Sequence, residues 1–332
     1  MLKTLKHPLF KREILQVRWS SLLMTLAVML PILITINHAH EHAYGWRLES
    51  MDILANSPYD FLGWLIVPII IISQFYYTRK DSVSGVMAAL PFSRKDTMKH
   101  KYLAGACGIL FAYTMSFIIL TATYFSAGQP IIGPYSPILY WFIIAYLSSL
   151  FQYSFYFLVA TTMGNSIFAG IAGILIFYAP VFLYASVMIN ADAFFNISYS
   201  GDGVFQVLMP QYIVYTSNWY NKSFIGFMDI LPMIIGYTLV SYLLFKGAQG
   251  LFEKNDFEHN GNMCMFIWAE KLFLVGFTLC FGFLALDFSQ IFEGGWLYPI
   301  VVVLGLACFP MGFILARKLL LITGHQVPFK KA

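Results

Sequence analysis

Charge is what this chain has least of. Asp, Glu, Lys and Arg make up 11% of its 332 residues, against roughly 25% in a soluble domain. Between Lys101 and Asp192 there is no Asp, Glu, Lys, Arg or His at all. A water-soluble fold of this size could not cover its apolar surface with so few charges, so the solvent has to be lipid. Cysteine is scarce as well. Cys107, Cys264, Cys280 and Cys308 form no CxxC pair, and read as small apolar fillers rather than a disulfide framework or a zinc site. No GxxxxGK[ST] phosphate loop occurs, since Gly247–Gly250 lacks the following Lys-Ser/Thr. That excludes ATP hydrolysis by this route within the chain. HExxH, GxSxG and an intramembrane carboxylate pair are also missing, which argues against a membrane-embedded enzyme. No small-residue cleavage site follows the first apolar run before His38, so that run reads as a retained span. The net charge of +4 is too small to argue for nucleic acid.

What the chain has in abundance is apolar length. Hydrophobic residues make up 59% of it and the mean hydropathy is +0.70. Barrel strands alternate apolar and polar residues. Here the apolar runs are continuous over about 20 residues, the length a helix needs to cross the bilayer core. The predicted spans are Trp19–Ile36, Phe61–Tyr77, Leu103–Tyr124, Ile138–Leu158, Ile167–Ile189, Phe227–Phe245, Leu272–Leu286 and Leu297–Leu315. Within the uncharged stretch only turn chemistry divides the spans: Gly128-Gln129-Pro130 with Gly133-Pro134, then Thr161 to Ser166. The expected fold is an all-α polytopic membrane protein of about eight transmembrane helices. Its expected parts are an N-terminal connecting helix over 1–18 and a single transmembrane domain over 19–332.

Basic residues test this drawing. With the N-terminus inside, eighteen of the twenty Lys and Arg fall on the inner side, and only Arg47 and Lys222 fall outside. That is the bias of cytoplasmic loops. A wrong span count in the uncharged stretch would invert every later segment and destroy the bias, so an odd number of spans is expected there. Both termini are then cytoplasmic. The tryptophans lie near predicted span ends, where amphipathic rings favour the interface.

Several segments invite a function. Leu2–Arg18 sets Leu9, Phe10, Ile14 and Val17 among Lys6, Lys11, Arg12, Glu13 and Arg18, which suits an amphipathic helix lying along the inner membrane surface. In 78–92, Asp81 or Ser82 can cap a short helix. Val83, Val86, Met87 and Leu90 then share one face and Pro91 ends it. A partner protein could bury that face, or it could rest on lipid headgroups. His38, His40 and His42 flank Glu41, but alternate spacing is poor for closing a tetrahedral metal site, and a solvated polar loop is expected. Ala169, Gly170 and Gly173 in span five permit close helix approach, either to a second subunit or within one bundle. Ser148, Ser149, Gln152, Tyr153 and Tyr156 make span four the most polar, and its Gln152, Tyr153 and Tyr156 are candidates for a substrate path.

Here the chain resembles a known family. Phe10-Lys11-Arg12-Glu13 before span one, and Gly85 with Leu90-Pro91-Phe92-Ser93-Arg94 and Lys101 between spans two and three, are similar to the permease subunits of ABC-2 (type-2 exporter) transporters. The run Phe252 to Glu258 after span six looks like members with eight spans, and the likeness is to the permease pair of the acetoin-utilisation-type exporters of Gram-positive bacteria. Asp81 stands where many relatives carry Glu, and spans seven and eight lie beyond the six-helix core of the wider family. The resemblance implies a bacterial plasma-membrane permease in which 78–92 is a coupling helix docked on an ATPase. Val83, Val86, Met87, Leu90, Pro91, Arg94 and Glu13 would carry that contact. It also implies a second permease subunit, identical or paralogous, with ATP and Mg in the partner and no cofactor on this chain. The competing expectation is an ion-driven secondary transporter or channel. Such carriers place carboxylates at mid-membrane, whereas Asp60, Asp229, Asp287, Glu270 and Lys271 all sit near predicted span ends.

Overall fold

The computed structural model describes residues 7–41, 48–49, 60–76, 93–126, 131–132, 135–195, 227–254, 264–290 and 298–322. Eight helices make up the described chain: α1 Pro8–Glu41, α2 Asp60–Tyr76, α3 Arg94–Tyr124, α4 Ser136–Thr162, α5 Ser166–Phe195, α6 Phe227–Glu253, α7 Ile267–Gln290 and α8 Tyr298–Ile322. Each expected span falls on one of them, including three in the uncharged stretch. Seven are long and apolar enough to cross a membrane. The exception is α2, whose 17 residues reach about 26 Å. The only strands among the described residues are two-residue β1 (Leu48–Glu49) and β2 (Ile131–Ile132), which pair in parallel.

Local chemistry sets several ends. Ser93 caps α3, its Oγ accepting from the Asp96 amide at 3.0 Å and donating to Asp96 Oδ2 at 2.6 Å. This reciprocal pairing satisfies a donor that the first helical turn leaves open. The turn expected over 161–166 reduces to Met163, Gly164 and Asn165. Asn165 Oδ1 accepts from the Ile167 amide at 2.9 Å and so starts α5. Met163 is extended, and the Met265 amide donates to the Thr162 carbonyl at 2.8 Å, pinning the α4–α5 corner to the start of α7.

One expectation changes in form. The N-terminal segment is helical, but it is not a separate surface helix. It runs unbroken into the first span as α1, with Leu9, Phe10 and Glu13 buried. No Gly or Pro interrupts residues 9–30, so the change from charged to apolar composition at Trp19 gives the backbone no reason to bend.

Helix α4 is the centre, packed against α2, α3, α5 and α6, while α1 packs on α2 and α3. Just over half (56%) of its span window is buried inside the bundle, against 11% for α6 and 17% each for α7 and α8. Those three therefore turn most of their apolar surface to lipid. The α7–α8 hairpin meets the rest chiefly through α7 on α5. Its two helices lie close because Gly282 faces the Phe309 ring, where a Cβ would overlap, and Gly312 faces Phe281. Trp141 departs from the expected interfacial belt. It points inward at 3% exposure, edge-on to Tyr113 with ring centroids 6.0 Å apart.

Candidate functional site

At the end of the bundle where α1 and α3 begin and α2 ends, one buried charge pair organises four helices. Lys101 Nζ donates to Glu13 Oε2 at 2.8 Å, and both side chains are 1% exposed. Neither charge can be buried alone, because the desolvation penalty of an isolated ion exceeds what a single hydrogen bond returns. The pair is completed by further partners. Lys101 Nζ also donates to the Gln74 carbonyl at 2.6 Å and lies 5.4 Å from the Phe75 ring centroid. Glu13 Oε1 accepts from Arg12 Nη2 at 3.0 Å. Such charge-assisted contacts are the stronger class of hydrogen bond.

The same knot ties the backbone. Gln74 Nε2 donates to the Lys101 carbonyl at 2.7 Å, and Tyr153 Oη donates to Gln74 Oε1 at 2.9 Å. Glu13 of α1, Gln74 of α2, Lys101 of α3 and Tyr153 of α4 therefore form one connected network. Beside it the His7 and His100 rings stack at 4.3 Å, and His100 Nδ1 meets the Asp96 carbonyl at 2.7 Å. A second set of contacts fixes the start of α3 to the end of α6. Arg94 donates to the Glu253 carbonyl at 3.2 Å, and Lys95 Nζ pairs with Glu253 Oε2 at 3.4 Å.

Tyr153 fits only because Gly105 of α3 has no side chain, since a Cβ there would overlap the Tyr153 hydroxyl. Gly105→Ala is expected to push that hydroxyl off Gln74 and to destabilise the protein by about 1–3 kcal/mol. Gly250→Ala, with nothing within 4 Å of its Cβ, is expected to be neutral or stabilising through helix propensity. Thermal unfolding of the two detergent-purified variants checks the difference in sign.

The candidate residues distribute as follows. Glu13 is in the network, and Arg94, the first residue of α3, bonds to the end of α6 at Glu253. Val83, Val86, Met87, Leu90 and Pro91 lie outside the described residues, between the ends of α2 and α3 that the network clamps together. Tyr153 belongs to the network, whereas Gln152 and Tyr156 do not, and Gln152 Nε2 donates to Tyr156 Oη at 2.8 Å. The small residues of α5 are used within this chain: Ala169 is buried, Gly170 packs on Ile72 of α2, and Gly173 on Tyr156 of α4. His38 and His40 fall in the last turns of α1, where side chains are outside the description, and His42 lies outside the described residues. Among the described residues no three His, Cys, Asp or Glu come together as a metal site, and Cys107, Cys264, Cys280 and Cys308 are all free.

Sequence reasoning missed Lys101 and Gln74 as site residues. Lys101 read as one of the loop cations that set orientation, and its partner is 88 positions away. The available signal was its place as the last charge before a long uncharged run. A second polar joint, also missed, lies at the opposite end. There Asp287 of α7 accepts from Ser186 Oγ at 2.5 Å and from Asn190 Nδ2 at 2.8 Å, both on α5.

The chain is by its architecture a multi-pass helical membrane protein, and no protein-family model, curated protein or solved structure matches it.

Proposed function

We propose that the chain is the membrane-spanning subunit of an ATP-driven exporter of the ABC-2 class. A separate ATPase would bind and hydrolyse Mg-ATP, and a second permease subunit would complete the path. The observation that carries this reading is the buried Glu13–Lys101 network. It joins the N-terminal helix to both helices that flank 77–92. A push on that segment would therefore reach α1, α2, α3 and α4 together rather than bending one helix alone. The basic-residue bias supports placing this end in the cytoplasm, where an ATPase resides. A multi-pass bundle without a nucleotide loop of its own is consistent with a transport protein that draws its energy from elsewhere.

In this reading the ATPase dimer closes on ATP and presses on the face carrying Val83, Val86, Met87 and Leu90, with Pro91 ending the helix. Arg94 and Glu13 pass the displacement into the bundle. Coupling of this kind requires two states that nucleotide favours unequally. The test replaces Val86, Met87 and Leu90 together by Glu and asks whether the chain still co-purifies with a Walker-A-bearing subunit from mild detergent. The expected result is loss of the complex and of substrate-stimulated ATP turnover, with the permease itself still folded. Intact assembly and turnover would remove the coupling role. Ion-gradient-driven counterflow in vesicles lacking any ATPase would favour the secondary-transporter reading instead.

A further inference from the structure

Half-way through the bundle the polar groups are arranged differently. Gln152 of α4 is 2% exposed and Tyr156 is fully buried. Gln152 lies about 15 Å along the axis from Thr162, and Tyr178 of α5 and Ser241 of α6 lie about 18 Å from the same end of their helices. In a core about 30 Å thick these three positions are at mid-depth. The amide of Gln152 donates to Tyr156 Oη at 2.8 Å, and its side chain lies within electrostatic reach of the Tyr178 hydroxyl. Its Oε1, however, is buried with no hydrogen-bond partner among the described residues, and so is Ser241 Oγ.

An amide edge stranded in hydrocarbon is costly, because no water is there to satisfy it. Turning the amide over would satisfy the oxygen and strand the N–H groups instead, so one polar edge stays open in either orientation. Around it the walls are rings. Phe177 packs edge-on to Tyr156 with centroids 5.7 Å apart, and Phe151 bridges Phe177 at 5.8 Å and Tyr237 of α6 at 5.5 Å. Apolar and aromatic surface around a few placed polar groups is the usual make-up of a small-molecule site. Transporters also tend to place such sites near the bilayer midplane.

We propose that Gln152, with Tyr156, Tyr178 and the rings of Phe151, Phe177 and Tyr237, is a substrate subsite for an uncharged, ring-bearing molecule with one hydrogen-bonding group. Charge is disfavoured because α4 and the buried part of α5 carry no ionisable acid or base that would compensate it. The inference rests on the reading of the chain as a transport protein, and not on the identity of its motor.

N-phenyl-1-naphthylamine is a suitable probe. It is neutral, it carries two ring systems and one N–H, and its fluorescence rises in apolar surroundings. Titrated into nanodiscs holding the protein, with empty nanodiscs subtracted, it is expected to bind saturably. Gln152→Met is expected to weaken its Kd about tenfold, the effect of losing one hydrogen bond of this kind, and Tyr178→Phe by less. 1-Phenylnaphthalene, which lacks the N–H, is expected to bind wild type and Gln152→Met alike. Absence of saturable binding, or a Kd unchanged in both variants, would overturn the subsite. Because Tyr178→Phe leaves the amide in place, it keeps the test open if Gln152→Met does not fold. No ATPase is present in the assay, so its outcome is separate from the co-purification result.

Discussion

Glu13→Leu and Lys101→Met are expected to be among the most damaging single substitutions in the chain. Both break a pair whose members are 1% exposed, and breaking a buried pair from one side costs about 3–5 kcal/mol. Each side keeps some partners when the other is removed: Glu13 keeps Arg12 at 3.0 Å, and Lys101 keeps the Gln74 carbonyl and the Phe75 ring. The double variant Glu13→Leu/Lys101→Met removes both charges and is expected to recover most of the loss, since an apolar replacement of a whole buried pair is often neutral or better. Midpoints of thermal unfolding in one detergent compare the single and double variants directly. If the double variant is as unstable as the sum of the single ones, the two residues do not act as a pair.

Asp287→Ala is expected to loosen the α7–α8 hairpin while leaving the rest of the bundle intact. Its carboxylate receives Ser186 Oγ at 2.5 Å and Asn190 Nδ2 at 2.8 Å. Ser186 is 1% exposed and Asn190 6%, so truncation removes the acceptor shared by two buried donors at a cost of about 2 kcal/mol, although Asn190 Nδ2 keeps the Ser186 carbonyl at 2.8 Å. The other main attachment of the hairpin is the Thr162–Met265 backbone contact at the far end, and α8 rests chiefly on α7. Local opening should therefore be confined to these two helices. Hydrogen exchange read by mass spectrometry is expected to quicken across α7 and α8 and to stay unchanged in α3 and α4. Asp287→Asn keeps one acceptor oxygen and should give a smaller change. Quickening spread evenly over all eight helices would show that Asp287 does not hold the hairpin.

The helices were legible because lipid demands continuous apolar runs, and a run of about 20 residues has few other readings. The division of the uncharged stretch was legible through turn residues, and Asn165 shows why: its side chain satisfies the first amides of α5. Composition misled at Trp19, where a change of solvent was read as a change of backbone direction. A helix bends at Gly, Pro or a competing hydrogen bond, and α1 meets none of these in its first turns. The polar face of span four was visible in Tyr153 and Gln152, but not the difference between them. Tyr153 is satisfied by Gln74, 79 positions earlier, and Gln152 retains an open edge. Periodicity reports which residues share a face, whereas pairing across helices depends on tertiary packing that no local pattern encodes. For the same reason Glu13 was reached through family resemblance, and Lys101 was not reached as its partner.

The continuity of α1 has a mechanical meaning. Its 34 residues form a rod about 51 Å long, longer than a bilayer with its headgroups, which measures about 40–45 Å. Even with a tilt near 20°, a typical value for membrane helices, the rod projects beyond the lipid. Residues 9–30 contain no Gly or Pro, so a displacement applied at Glu13 is carried without a joint to Leu30, about 26 Å further along the axis, and any bend is left to Pro31 beyond it.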